Sequence, residues 1–339
     1  MPSLKAKFAR KWWVGGIITI ALPISLMLGL ATGSYDLSWS EILSILTGAD
    51  HPQAFVIWQL RLPRVLLGFL TGAILTLGGF YMQALIKNPL ADPYIMGLTA
   101  GAGLGVNVLI LGLVPIATFS VFTMPAFAGV GAILSLGLVL FLGMRSFQED
   151  SARLLIAGVA VASICTAITG ILIYKLADSD QVRRMVFWSF GSLAKATPLQ
   201  VWIALGIWIS ALAGGLFSSK ALDLLITGDM QAQALGLLVW RFKIGLLLLT
   251  SVTVGGVVAF TGPIGFIGMM IPHFSRALLG ARHRPNLIWG SIFGGGFLTL
   301  CDVFSRWLIP PAGLPIGIIT AVLGVPFFLY LLFQRKTVL

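Results

Sequence analysis

The chain has 339 residues, of which 58% are hydrophobic and only 10% charged, with a net charge of +11 and a mean hydropathy of +1.00. A soluble domain carries roughly 25% charged residues, so this chain lacks the polar surface to cover itself in water. That excludes a water-soluble globular protein and points to an all-α polytopic membrane protein, whose scattered single cations read as topology signals rather than as a nucleic-acid surface.

In chain order, the first element is an apolar run at about 13–32, preceded by KAKFARKWW. No convincing small-residue cleavage site accompanies it, so it is read as a retained first helix. The segment 33–60 follows, and its LSWSEILSILTG predicts a short helix lying along the surface. RLPRVLLGF, residues 61–69, then opens a second span at about 62–86, with Arg61 and Arg64 one turn apart at its head. Cations at a helix N-terminus oppose the helix dipole by up to about 1 kcal/mol. Two readings compete: snorkelling to the lipid headgroups, or a pair of positive anchors on one helical face for an acidic partner. Gln83 in the same span either faces a pathway or bonds a neighbouring helix, and Asn107 in the next span is a second pathway candidate. Asn88-Pro89-Leu90-Ala91-Asp92-Pro93, with two prolines and a turn-forming Asn, ends the second span sharply.

Further spans are predicted at about 94–114, 119–143, 153–175, 199–218, 242–260, 264–280, 286–308 and 315–333, ten in all, each near the roughly 20 residues that cross a bilayer. Pro and Gly breaks across 262–272 make the eighth the least regular. Gly68/Gly72, Gly101/Gly105 and Gly290/Gly294 have GxxxG spacing and read as packing seams. Cys165 and Cys301 lie inside apolar segments, as two buried thiols without a disulfide. Between the sixth and seventh spans, SSKALDLLITGDMQAQALGLLVWRFK carries Ala221, Leu224 and Leu225 at helical spacing. Gly228 breaks that run, and Asp229 opens a second short helix closed by Gly236. Such a helix–Gly–helix unit suits either a groove of a cytoplasmic subunit or the lipid surface.

With the N-terminus in the cytoplasm, fifteen lysines and arginines fall inside and seven outside, the seven being Arg61, Arg64, Lys175, Arg183, Arg184, Lys195 and Arg306. This bias places both termini inside. An intramembrane enzyme finds little support. His51, His273 and His283 form no HExxH, and neither a GxSxG nor paired intramembrane carboxylates accompany them. Nor is an ion-driven carrier favoured, since the eleven acidic residues lie in loops or near segment ends. Asp302 alone approaches a membrane interior, with Arg306 one turn away to pair with it. A Walker motif is absent. The energy for transport therefore comes from a partner, or the protein is a passive pore.

Four stretches then carry a resemblance: RLPRVLLGFLTGAILTLGGFYMQALIKNPLADPYIMGLTAGAGLG at 61–105, GDMQAQALG at 228–236, GPIGFIGMMIPHFSRALLGARHR at 262–284 and LPIGIITAVLGVPFFLYLL at 314–332. Together they resemble the permease subunits of ABC importers for iron chelates, haem and cobalamin, the FecCD type. The resemblance implies a type II importer fold in the bacterial inner membrane: one permease domain over 1–339, paired as a homodimer, with two ATP-hydrolysing subunits below and a substrate-binding protein above. It implies that Arg61, Arg64 and Arg306 dock that binding protein, and that Leu224, Gly228, Asp229, Ala232, Leu235 and Gly236, within a coupling segment 221–237, contact the ATPase. It implies no catalytic, cofactor or metal site on this chain, ATP–Mg being held by the partner, and no nucleic-acid partner. One departure is visible: the family usually has Glu before Leu-Pro at the start of the last helix, and Gly313 stands there. No short motif names the cargo; family frequency alone favours a ferric siderophore.

Overall fold

The computed structural model describes residues 22–33, 35, 37–115, 120, 122–143, 151–310 and 313–334. The expectations for 13–21, for the basic residues at 5–11, Arg145, Arg335 and Lys336, and for Asp36, Glu149 and Asp150 lie outside the described residues, as does the side chain of Arg153. Among the described residues the regular elements are helical. They are α1 (Leu22–Ala31), α2 (Trp39–Leu46), a π-helical turn (Val56–Arg61), α3 (Leu62–Ile86), a 3-10 turn (Pro93–Met96), α4 (Leu98–Ile110), α5 (Thr123–Gly143), α6 (Ser151–Leu176), α7 (Ser179–Ser189), α8 (Pro198–Phe217), α9 (Ser219–Thr227), α10 (Asp229–Ala234), α11 (Val239–Thr261), α12 (Ile267–Leu279), α13 (His283–Leu308) and α14 (Ile316–Gln334).

Nine of the ten expected spans fall on one of these helices, and the described part of the first is α1, though ten is an approximate count. Six are long and apolar enough to cross a membrane: Val56–Ile86, Thr123–Leu142, Leu155–Leu176, Pro198–Phe217, Val239–Thr261 and His283–Leu308. The described part of α1, and α4, α12 and the apolar stretch of α14, are shorter. The irregular eighth span resolves into α12, which starts only at Ile267 because Phe266 takes a left-handed conformation (φ 70°) and which carries Pro272 inside it.

The short helices are set by local chemistry. In α2, Ser38 and Glu41 form a capping box: the Ser38 amide donates to the Glu41 carboxylate at 2.7 Å, and the Glu41 amide donates to the Ser38 hydroxyl at 3.3 Å. This satisfies donors that a helix start otherwise leaves open, and the bonds from Ser38 hold the Glu41 carboxyl below its usual range. Asp178 and Gln181 repeat the device at α7.

The chain falls into two compact units, Met1–Leu77 with Ser192–Leu212 and Gly265–Leu339, and Gly78–Gly191 with Ala213–Ile264. In the first, Leu30, Leu37, Ile42, Ile45, Ile57 and Val65 bury one face of α2 against the end of α1 and the start of α3. There α12 packs on α13 and α14, the Phe266 ring fills the space left by Gly324, and Phe274 stacks on Phe327 at 4.7 Å. In the second unit α4 lies against α5 along a glycine seam. A Cβ on Gly101, Gly105 or Gly131 would run into the facing helix's backbone carbonyl, so the backbones touch as small residues permit in apolar surroundings.

Candidate functional site

The π-helical turn and the first turn of α3 position Arg61 and Arg64, and α13 brings Asp302 and Arg306 to them. Arg61 is only 6% exposed. Its Nη1 donates to the carbonyls of Leu30 at 2.7 Å and Ala31 at 3.0 Å, and its Nη2 to that of Tyr35. Arg306 Nη1 donates to the Gly29 carbonyl at 3.1 Å and to that of Thr32. The Leu28 carbonyl accepts from the Thr32 amide at 2.9 Å. An α-helix leaves its last carbonyls without internal donors, and here those at the end of α1 are met in succession by two arginines. The cations also sit where the helix dipole is negative.

Arg64 is held differently. Its Nε lies 3.1 Å from both Asp302 carboxylate oxygens and its Nη2 2.8 Å from Oδ1, a forked pair. Arg306 Nη2 reaches Asp302 Oδ2 at 3.1 Å, the i,i+4 pair that the spacing anticipates. One carboxylate thus serves two guanidiniums, with side chains 21% exposed for Arg64, 9% for Arg306 and 3% for Asp302. The three arginines expected to face a partner are therefore brought together, but Arg61 and Arg306 hold the chain's own α1, and Arg64 is the most exposed of them. Gly313 has φ 71°, and a Cβ there would lie 3.5 Å from the Ser305 carbonyl and 3.7 Å from Arg306 Cα. A glutamate in its place would thus sit beside this cluster.

The second group lies on the α9–α10 pair. Gly228 between them has φ 123° and ψ 150°, a conformation that glycine alone takes readily, and Gly236 after α10 has φ 88°. Leu222, Leu225 and Ala232 are fully buried, which fixes one face of the pair inward. Four apolar residues of the segment are nonetheless exposed: Ile226 on α9, Met230 (82% exposed) on α10, and Leu235 (67% exposed) and Leu238 just after it. Leu224 is half-buried. Asp229, the first residue of α10, meets Lys87 Nζ at 2.9 Å and Lys243 Nζ at 2.6 Å. Partial burial raises the Asp229 carboxyl, but the hydrogen bonds and charges of Lys243 and Lys87 outweigh it and hold the group below the usual carboxylate range.

Met230, Ile226 and Leu238 escape a reading of the sequence because Gly228 breaks the helical period that would align the first two. Lys87 and Lys243 carry no local signal of their shared partner. The two pathway candidates, Gln83 and Asn107, are both buried in the chain. His273 packs its ring on Phe327, 5.7 Å between centroids, and His51 lies 3.7 Å from Glu41. Among the described residues no group of three His, Cys, Asp or Glu side chains is placed to hold a metal ion.

Residues 21–334 match the model of the FecCD transport family. The chain is 37% identical over 326 residues to the hemin transport system permease protein HmuU of Yersinia pestis, covering 95% of each. It is 34% identical over 339 residues to the vitamin B12 import system permease protein BtuC of Klebsiella pneumoniae, covering 99% of this chain and 97% of that one. Among solved structures, an inward-facing metal-chelate type ABC transporter superposes with a TM-score of 0.85 at 29% identity, covering 96% of this chain and 99% of that one.

Proposed function

The chain belongs to the FecCD transport family, and from that premise we propose that it imports a metal chelate, such as a ferric siderophore, haem or cobalamin, on energy supplied by a separate ATPase. It works as a homodimeric permease of the bacterial inner membrane, with both termini and the α9–α10 pair on the cytoplasmic side. The observation that carries the reading is that pair. Ile226 and Met230 on the short helices, and Leu235 and Leu238 just after them, expose apolar side chains, while Leu222, Leu225 and Ala232 of the same helices are buried. A helical segment with exposed apolar side chains of this kind fits a groove in a partner subunit. Alternating access follows when ATP-driven closure of two such partners displaces the pair.

The arginine cluster at the start of α3 is the docking face for acidic groups of a substrate-binding protein. Arg64 stands in front, and Arg61 and Arg306 form its frame. Specificity among chelates then belongs to the binding protein and to many weak contacts along the pathway.

Reconstitution tests the reading. The permease is incorporated into liposomes with and without its ATPase and binding protein, using hemin and cyanocobalamin as probes. Uptake of either that requires ATP and the second subunit supports the proposal. Uptake by this chain alone, driven by an ion gradient or by none, overturns it in favour of an ion-coupled or passive transporter.

A further inference from the structure

Lys87 follows the last residue of α3 with φ 56°, the left-handed conformation that a helix end normally assigns to Gly or Asn. It is strained for any residue with a side chain. Glycine would relieve the backbone there, so what lysine adds must lie in its side chain. That side chain reaches Asp229 Oδ1 at 2.9 Å, while the other carboxylate oxygen takes Lys243 Nζ at 2.6 Å. The two contacts differ in kind. The Lys243 side chain, in the first turns of α11, is 4% exposed, whereas those of Lys87 and Asp229 are 36% and 40% exposed. Around them, α10 is bracketed by Gly228 and Gly236, both at positive φ and both with nothing within 4 Å of where a Cβ would lie. A six-residue helix with a glycine joint at each end has little stiffness of its own. What ties its first residue to the longer helices is a single carboxylate bridging two ammonium groups.

We propose that Lys87 and Lys243 latch α10 to the end of α3 and the start of α11 through Asp229, so that displacement of α10 is handed to both helices at once. Lys87 is the positioning residue of this latch. The inference rests on reading 221–237 as the ATPase contact and adds the route by which movement there enters the membrane helices. The buried Lys243 contact keeps α10 on α11 throughout the cycle. The half-exposed Lys87 contact couples it to α3 and is the weaker link.

Spin labels on Ile86→Cys at the end of α3 and Gln233→Cys on α10, in a Cys165→Ala/Cys301→Ala chain, test this by pulsed dipolar spectroscopy. Distances are recorded on the permease alone and on its complex with the ATPase, before and after ATP–vanadate. With Lys87 present the distance stays single and narrow in every state. Lys87→Gly, which removes both the strain and the charge, loses that narrow distance, and Lys87→Arg restores it. If residue 87 served only to end α3, Lys87→Gly would leave the distance as sharp as before, and that result overturns the latch. The contact reading is scored separately, by the amount of ATPase that co-purifies with Met230→Asp. A ratio equal to that of the unsubstituted chain would sink the reading of 221–237, whatever the label distances show. Loss of the ATPase supports it.

Discussion

Asp302 and Asp229 each serve two cations, in opposite surroundings and with different partners. Asp302 is buried and is met by two guanidiniums, one of them forked across both its oxygens. Asp229 is two-fifths exposed, begins a helix of six residues, and is met by two ammonium groups. The planar fork of arginine satisfies both lone-pair directions of a carboxylate that has lost its water, whereas lysine offers a compact charge on a flexible stem. A buried pair whose partner is removed leaves a charge that cannot be rehydrated, while an exposed pair recovers most of its loss from solvent. The first arrangement therefore fastens through both its arms, whereas in the second the buried Lys243 arm fastens and the half-exposed Lys87 arm is the weaker link.

Removal of each carboxylate is the sharpest way to break this comparison. Asp302→Ala strands two arginines at once and should destabilise the folded protein by about 3–5 kcal/mol, as for other broken buried pairs. Denaturant titration of the purified protein in detergent measures it, and a loss under about 1 kcal/mol would make the two sites alike. Arg61→Met keeps the aliphatic stem but withdraws the donors from Leu30, Ala31 and Tyr35. At roughly 1.5–3 kcal/mol for a hydrogen bond to a charged group, shared among imperfectly additive bonds, a loss of about 2 kcal/mol is expected. It should be accompanied by faster amide exchange at the end of α1.

Asp229→Asn should cost only about 1 kcal/mol, because the Asn amide oxygen can still accept from the buried Lys243 ammonium and water screens the half-exposed Lys87 contact. Its pH dependence gives a second handle. The folded carboxyl lies below its ordinary value of roughly 3.9, so its contribution is fully present above that value and fades as pH falls through the lower folded one. The stability gap between the unsubstituted chain and Asp229→Asn should thus be flat from neutral pH down to about 5 and close only in strong acid. A gap that closed near neutrality would contradict the geometry.

The smallest effect is expected from Gly313→Glu. A side chain at φ 71° costs about 1 kcal/mol of backbone strain, and a second carboxylate beside Arg306 offsets part of it. The same titration should find a net change within about 1 kcal/mol. A clear stabilisation would show that Asp302 alone leaves the arginine cluster short of negative charge.

The course of the helices was legible from apolar runs of spanning length, and the corner after α3 from its prolines. The Asp302–Arg306 pair could be anticipated because four residues separate the two on one helix. The partner of Arg64 could not, since Asp302 lies 238 residues away. Arg61 was the least legible, because its acceptors are backbone carbonyls, which every residue possesses and no side chain announces. An arginine that caps a distant helix and one that awaits a partner look identical as letters. Likewise the strained backbone of Lys87 follows from how α3 must end above Asp229, and the apolar tip at Met230 from the sharp turn at Gly228. Both are consequences of tertiary placement rather than of period.

The shared cap on α1 also imposes an order on biogenesis. Arg61 leaves the ribosome soon after the carbonyls of Leu30 and Ala31 that it will hold, whereas Arg306 follows the Gly29 carbonyl by 277 residues. At about 5–20 residues per second, the two arginines are separated by roughly 10–50 s of translation. For that interval the nascent end of α1 has one of its two clasps and must keep its remaining carbonyls in water. The hairpin of α1 and α3 is thus the earliest piece of this protein able to seat itself, and α13 is what closes it.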